Sequence, residues 1–120
     1  MEICFFFRRK LYKWLAQYLE SSGDMDDALQ YYTMANDYLA RVRIHCFCEE
    51  FDRASELCDE TGDKAASYHL ARQFDNSDEI NKAIHYFSRA QAYSNAIRLA
   101  KVLGLIYFNL PTIPVPGTPF

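Results

Sequence analysis

Residues Tyr12 to Ile44 and Ser67 to Leu99 carry one helical pattern written twice, and laying Ser67 under Tyr12, an offset of 55, aligns the copies without a gap. Identical residues stand at Leu15/Leu70, Ala16/Ala71, Ser22/Ser77, Ala28/Ala83, Tyr31/Tyr86, Ala35/Ala90, Tyr38/Tyr93 and Arg43/Arg98. Similar ones stand between them, among them Leu19/Phe74, Met25/Ile80, Leu29/Ile84, Tyr32/Phe87 and Val42/Ile97. Small aligns with small and large with large. Self-similarity at a period of tens of residues constrains a chain to stacked units, because each unit buries its apolar face only against a neighbour.

Inside each copy the apolar residues recur with the 3.6-residue period of an amphipathic helix. A first helix runs through Leu11, Leu15, Tyr18 and Leu19 until Gly23. Asp24 suits the N-cap of a second, whose stripe is Ala28, Tyr31, Tyr32 and Ala35. After Asn36 and Asp37 the pattern predicts a third helix from Tyr38 to about Glu49, through Leu39, Val42, Cys46 and Phe47, and a fourth from Asp52 to about Thr61. Gly62 and Asp63 form a stop and a restart. Helix five follows with Ala66, Leu70, Ala71 and Phe74 inward, and helix six with Ile80, Ala83, Ile84, Phe87 and Ala90. Helix seven starts near Ala92, with Ala96, Ile97, Leu99 and Ala100 inward. The expected fold is all-α, seven antiparallel helices with Ala28, Ala35, Ala83 and Ala90 at close helix contacts and Leu15, Leu19, Leu70 and Phe74 buried against them. This placement of small and large residues matches a tetratricopeptide-like α-solenoid of helical hairpins, although the proline that closes the usual motif is absent.

The repeats occupy residues 11–101. Residues 1–10 stand apart as a non-repeat segment, with Ile3 to Phe7 apolar before Arg8, Arg9 and Lys10. That order is the reverse of a secretory signal, and the run is far shorter than the roughly 20 residues that cross a bilayer, so the expectation is no leader and no membrane span. Residues 102–120 read as an irregular apolar tail with Pro111, Pro114, Pro116 and Pro119, whose bare PxxP spacing is a weak polyproline signal without a flanking base. The thirteen Lys and Arg are scattered and the net charge is −3, which argues against nucleic acid as a partner. Cys4, Cys46, Cys48 and Cys58 sit in apolar or helical stretches, which points to free thiols in a reducing compartment.

Candidate chemistry is thin. His45, Cys46, Cys48, Cys58 and His69 invite a zinc site, but Cys46 and Cys48 point about 200° apart on a helix and no paired CxxC or HxxxH closes a tetrahedral set. The same residues lack the glycine-rich turn and oxyanion donors that a Cys/His nucleophile needs. Asp24, Asp26 and Asp27 are explained by the positive end of a helix rather than by a cation. Lys13 and Gln17 are answered one repeat on by Tyr68 and Arg72, so the Lys and Asn ladder of a carboxylate clamp is missing. No catalytic, cofactor-binding or metal-ligating residue is expected, and no cofactor.

Longer words in the chain are more specific than the repeat. Leu11-Tyr12-Lys13-Trp14, Ala16-Gln17-Tyr18-Leu19-Glu20-Ser21, Val42-Arg43-Ile44-His45-Cys46-Phe47, Ala65-Ala66-Ser67-Tyr68-His69-Leu70-Ala71-Arg72-Gln73 and Asn95-Ala96-Ile97-Arg98-Leu99 resemble the intraflagellar transport protein 140 family, subunits of ciliary transport complex A. Members of that family carry paired β-propellers ahead of a long tetratricopeptide-like solenoid, and this chain resembles a stretch of the solenoid. The resemblance implies a scaffold without catalytic residues, in the cytoplasm, ciliary base and cilium, with other complex A subunits as partners in retrograde transport, cilium assembly and receptor entry. A vesicle coat or tethering solenoid, or a generic peptide-binding repeat module, shares the architecture.

Overall fold

The computed structural model describes residues 2–108, and the side chains of residues 6–104. Those residues form seven helices: α1 (Glu2–Ser21), α2 (Met25–Met34), α3 (Tyr38–Phe47), α4 (Phe51–Thr61), α5 (Lys64–Asn76), α6 (Ile80–Arg89) and α7 (Tyr93–Phe108). Each packs on its chain neighbour, and α3 also packs on α5. The stack is a slab of 60 × 31 × 19 Å. It is an all-α solenoid of helical hairpins, as the repeat predicts.

The repeat holds in three dimensions to the residue. Helices α2 and α3 begin at Met25 and Tyr38, and their counterparts α6 and α7 begin at Ile80 and Tyr93, each 55 further on. The turns repeat as well. After α1 the N–H of Asp24 donates to the carbonyl of Leu19 and that of Gly23 to Glu20, and the same double closure recurs after α2, α3, α5 and α6. These are Schellman turns, which satisfy the last helical carbonyls by putting one residue in the left-handed region. Gly23 occupies that position after α1 with φ 86°, while Asn36, Glu49, Asp78 and Gln91 occupy it elsewhere with φ between 55° and 62°. The helices restart on acidic residues. Asp37 accepts from the N–H of Ala40 and Asp63 from that of Ala66, whereas Asp24, expected to cap α2, makes no side-chain cap bond.

Two cores result. One joins Ala16, Ala28, Tyr32, Ala40 and Ile44 of the first three helices. The larger joins Val42 and Cys46 to Ala54, Leu57, Leu70, Phe74, Ala83, Phe87, Ala96 and Leu99 among others. Helix α3 supplies both, with Ala40 and Ile44 facing one and Val42 and Cys46 the other, so the cores share one helix. The small residues Ala16, Ala28, Ala35, Ala71 and Ala83 are fully buried, which lets helix axes approach until the large residues interlock.

Several expected positions differ. Leu15, Leu19 and Ala90 are half-buried rather than buried, while Leu39, Phe47, Ile97 and Ala100 are exposed. Leu39 and Phe47 lie on the part of α3 that neither core reaches, and Ile97 and Ala100 lie on the side of α7 away from α6. Helix α3 ends at Phe47, because Glu49 turns left-handed. Residues 2–10 continue into α1 without a break, and residues 102–108, expected to be irregular, continue α7 through Gly104. A single glycine in a helix costs only about 1 kcal/mol, too little to stop one flanked by Leu, Ile and Tyr. The proline spacing of Pro111 to Pro119 lies outside the described residues.

Candidate protein-binding surfaces

Where α1, α2 and α3 meet, Glu20 is surrounded by donors. Arg43 forks onto it, Nη1 to Oε2 and Nη2 to Oε1 at 2.7 Å, and the Tyr32 hydroxyl donates to Oε1 at 2.8 Å. The Arg43 hydrogen bonds hold the Glu20 carboxyl below its ordinary value against the opposing effect of burial. Burial, then Glu20, pushes the Tyr32 phenol up to about 12. The second repeat keeps the ion pair: Arg98 donates to Asp75 at 3.0 Å, and Arg98 and Asp75 stand 55 after Arg43 and Glu20. The phenol is not kept, since Phe87 replaces Tyr32. Both oxygens of Glu20 are engaged within its own fold, so this pair ties the first helix of one hairpin to the first helix of the next.

Comparing repeat-equivalent residues locates the open surfaces. On α5, Ala66, Ser67 and Leu70 are buried against preceding helices, but their counterparts on α1, Leu11, Tyr12 and Leu15, are exposed or half-exposed, Leu11 by 55%. Trp14 and Tyr18 stand on the same open side of α1, stacked with ring centroids 6.1 Å apart. At the other end, Val42 is fully buried by the helices after it, while its counterpart Ile97 is 54% exposed. Tyr93 is exposed where Tyr38 is packed against the core. The two ends of the stack thus present apolar helical faces of the kind that bury against a further helical hairpin inside the molecule.

The residues with metal or nucleophile potential are not brought together. Cys46 and Cys58 are buried, Cys48 is exposed on the turn after α3, and the Nδ1 of His45 lies 3.4 Å from Glu50. Burial pushes the Cys46 thiol up to about 12 and the Cys58 thiol up to about 11, so both remain protonated and inert. Among the described residues no group of three His, Cys, Asp or Glu side chains is placed to hold a metal ion. Asp24 hydrogen-bonds Asp27 and raises its pKa. Lys13 pairs with Asp37 at 3.6 Å. Among the described residues no helix is long and apolar enough to cross a membrane. The Glu20–Arg43 and Asp75–Arg98 pairs escape sequence reading because no local spacing joins their members; the one visible signal is that all four respect the offset of 55.

A stack of helical hairpins with small residues at its crossings, ion pairs between successive first helices and apolar faces at both ends defines a tetratricopeptide-like protein-interaction module. The family described as the IFT140/IFT172 TPR domain, the tetratricopeptide region of two intraflagellar transport proteins, matches residues 7–106. The chain belongs to that family.

Proposed function

We propose that this chain is a non-enzymatic protein-interaction scaffold working as part of an intraflagellar transport complex A subunit, in retrograde transport, cilium assembly and receptor entry into cilia. It acts in the cytoplasm, at the ciliary base and in the cilium, and its partners are other complex A subunits. The observation that carries the reading is the pair of end faces: Leu11 and Ile97 are exposed where the repeat-equivalent Ala66 and Val42 are buried under neighbouring helices. Membership of the intraflagellar transport TPR family supports the ciliary assignment. Inert thiols and a fully engaged Glu20 give no nucleophile and no free general acid.

Affinity purification of the tagged chain from ciliated cells tests this. Recovery of complex A subunits, lost in a Leu11→Asp, Ile97→Asp variant that keeps its helical circular dichroism, is the expected outcome. Recovery of vesicle coat or tethering subunits in their place, or of nothing, sinks the ciliary reading.

A further inference from the structure

Between α3 and α5, away from both end faces, runs an open groove of about 450 Å³ whose lining includes Leu39, Lys64, Tyr68, His69, Arg72 and Ala90. Its charge is one-sided. Lys64 and Arg72 are cations, His69 is titratable, and no carboxylate lines the groove. The acids nearby in sequence or space are already engaged: Asp63 caps α5, Glu20 holds Arg43, Asp75 holds Arg98 and Asp59 holds Arg89. Among the described residues Arg72 makes no ion pair, and Lys64 reaches only the neutral Gln91, at 2.8 Å. His69 records the resulting field, since burial first and then Arg43 of α3 and Arg72 of α5 lower its pKa.

The walls alternate in character. Lys64, Tyr68 and Arg72 follow each other at i, i+4 and i+8, so one line along α5 presents cation, aromatic ring and cation in turn. Tyr68 and Leu39 are both 39% exposed, an apolar pair flanked by the charges. A groove between helices takes an extended chain, and its polarity selects which one.

We propose that this groove binds an extended acidic peptide segment, with side-chain carboxylates against Lys64 and Arg72 and one apolar side chain over Leu39 and Tyr68. Recognition is by carboxylates spread along the segment, because the Lys and Asn ladder that grips a chain terminus is absent. Nucleic acid is the poorer fit: a phosphate backbone needs a continuous basic stripe, and here two lysine or arginine side chains line a short groove on a chain of net charge −3. The site goes beyond the end-face scaffold reading and does not depend on it.

The test is fluorescence anisotropy of the full chain with a labelled peptide of about ten residues, Asp and Glu on either side of one Leu, against the same peptide carrying Asn and Gln. Saturable binding of the acidic peptide only, weakened as salt rises from about 50 to about 500 mM, is expected. Arg72→Glu and Lys64→Glu, both on exposed residues whose fold is checked by circular dichroism, should each weaken it about tenfold or more. The His69 ring resonance followed by NMR should titrate at a higher pH with the peptide bound, because a carboxylate beside it favours the imidazolium. Equal binding of the amide peptide, unchanged binding in Arg72→Glu, or tighter binding of oligo-dT would overturn the proposal.

Discussion

Glu20 accepts from Arg43 twice and from Tyr32 once, so replacing it with Gln removes charge-assisted bonds without removing bulk. The expected loss is about 1 to 2 kcal/mol near neutral pH, measured by urea unfolding, since the site is only partly desolvated. Its pH dependence has a definite sign. The folded carboxyl titrates below its ordinary value of 4.5, so the folded state binds fewer protons than the unfolded one. The contribution is therefore complete above that value and disappears as pH falls through the lowered folded value, where wild type and Glu20→Gln should converge. A gap that stays constant into acid would refute the role of the charge. Asp78 gives the opposite kind of prediction. It sits at φ 61° where its repeat counterpart is Gly23, and a left-handed conformation is strained for any residue with a Cβ. Asp78→Gly should stabilise the protein by about 0.5 to 1 kcal/mol in the same assay, because the strain relieved exceeds the entropy that glycine adds to the unfolded chain.

At the scale of helices, α3 explains what the sequence can and cannot disclose. Stripes and small residues mark all seven helices, and Gly23, Gly62 and Asp63 mark three boundaries, since these are local signals. The end of α3 at Phe47 carries no such mark, because its left-handed residue is Glu49, which announces nothing. Which side of a helix is covered is harder still. Phe47 and Val42 read alike as apolar, yet Val42 is buried and Phe47 is 75% exposed, and the difference lies in where α4 and α5 arrive. The groove between α3 and α5 is hidden for the same reason: Tyr68 and Arg72 are legible in the sequence only as departures from a clamp, and their meaning depends on Leu39 of another helix lying alongside. Small residues at crossings are the most legible feature of all. Ala83 has no exposed surface and sits in the larger core with Leu70 and Phe87. Ala83→Leu should therefore destabilise by about 1 to 3 kcal/mol through overpacking, seen as a lowered denaturation midpoint. An unchanged midpoint would mean that α5 and α6 are free to separate.

For the whole molecule, a stack whose helices pack mainly on their chain neighbours holds each residue only through the adjoining helices, so identical positions in the two repeats need not matter equally. Val42 and Ile97 are the clearest pair. Both are branched, both lie on the first helix of a hairpin, and they are 55 residues apart; one has no exposed surface and the other is 54% exposed. Val42→Ala removes two buried methyl groups from the core shared with α4 and α5, with an expected cost of about 2 kcal/mol. Ile97→Ala removes surface that water already reaches and places a better helix former in α7, so the expected change lies within about 0.5 kcal/mol of zero. Urea unfolding of the two variants at low protein concentration measures the contrast. If Ile97→Ala costs as much as Val42→Ala, something covers that face of α7 in solution and the end is not open. If the contrast holds, but Ile97→Ala weakens co-purification of partners that Val42→Ala leaves bound, the residue that contributes least to the fold is the one through which the stack extends into its complex.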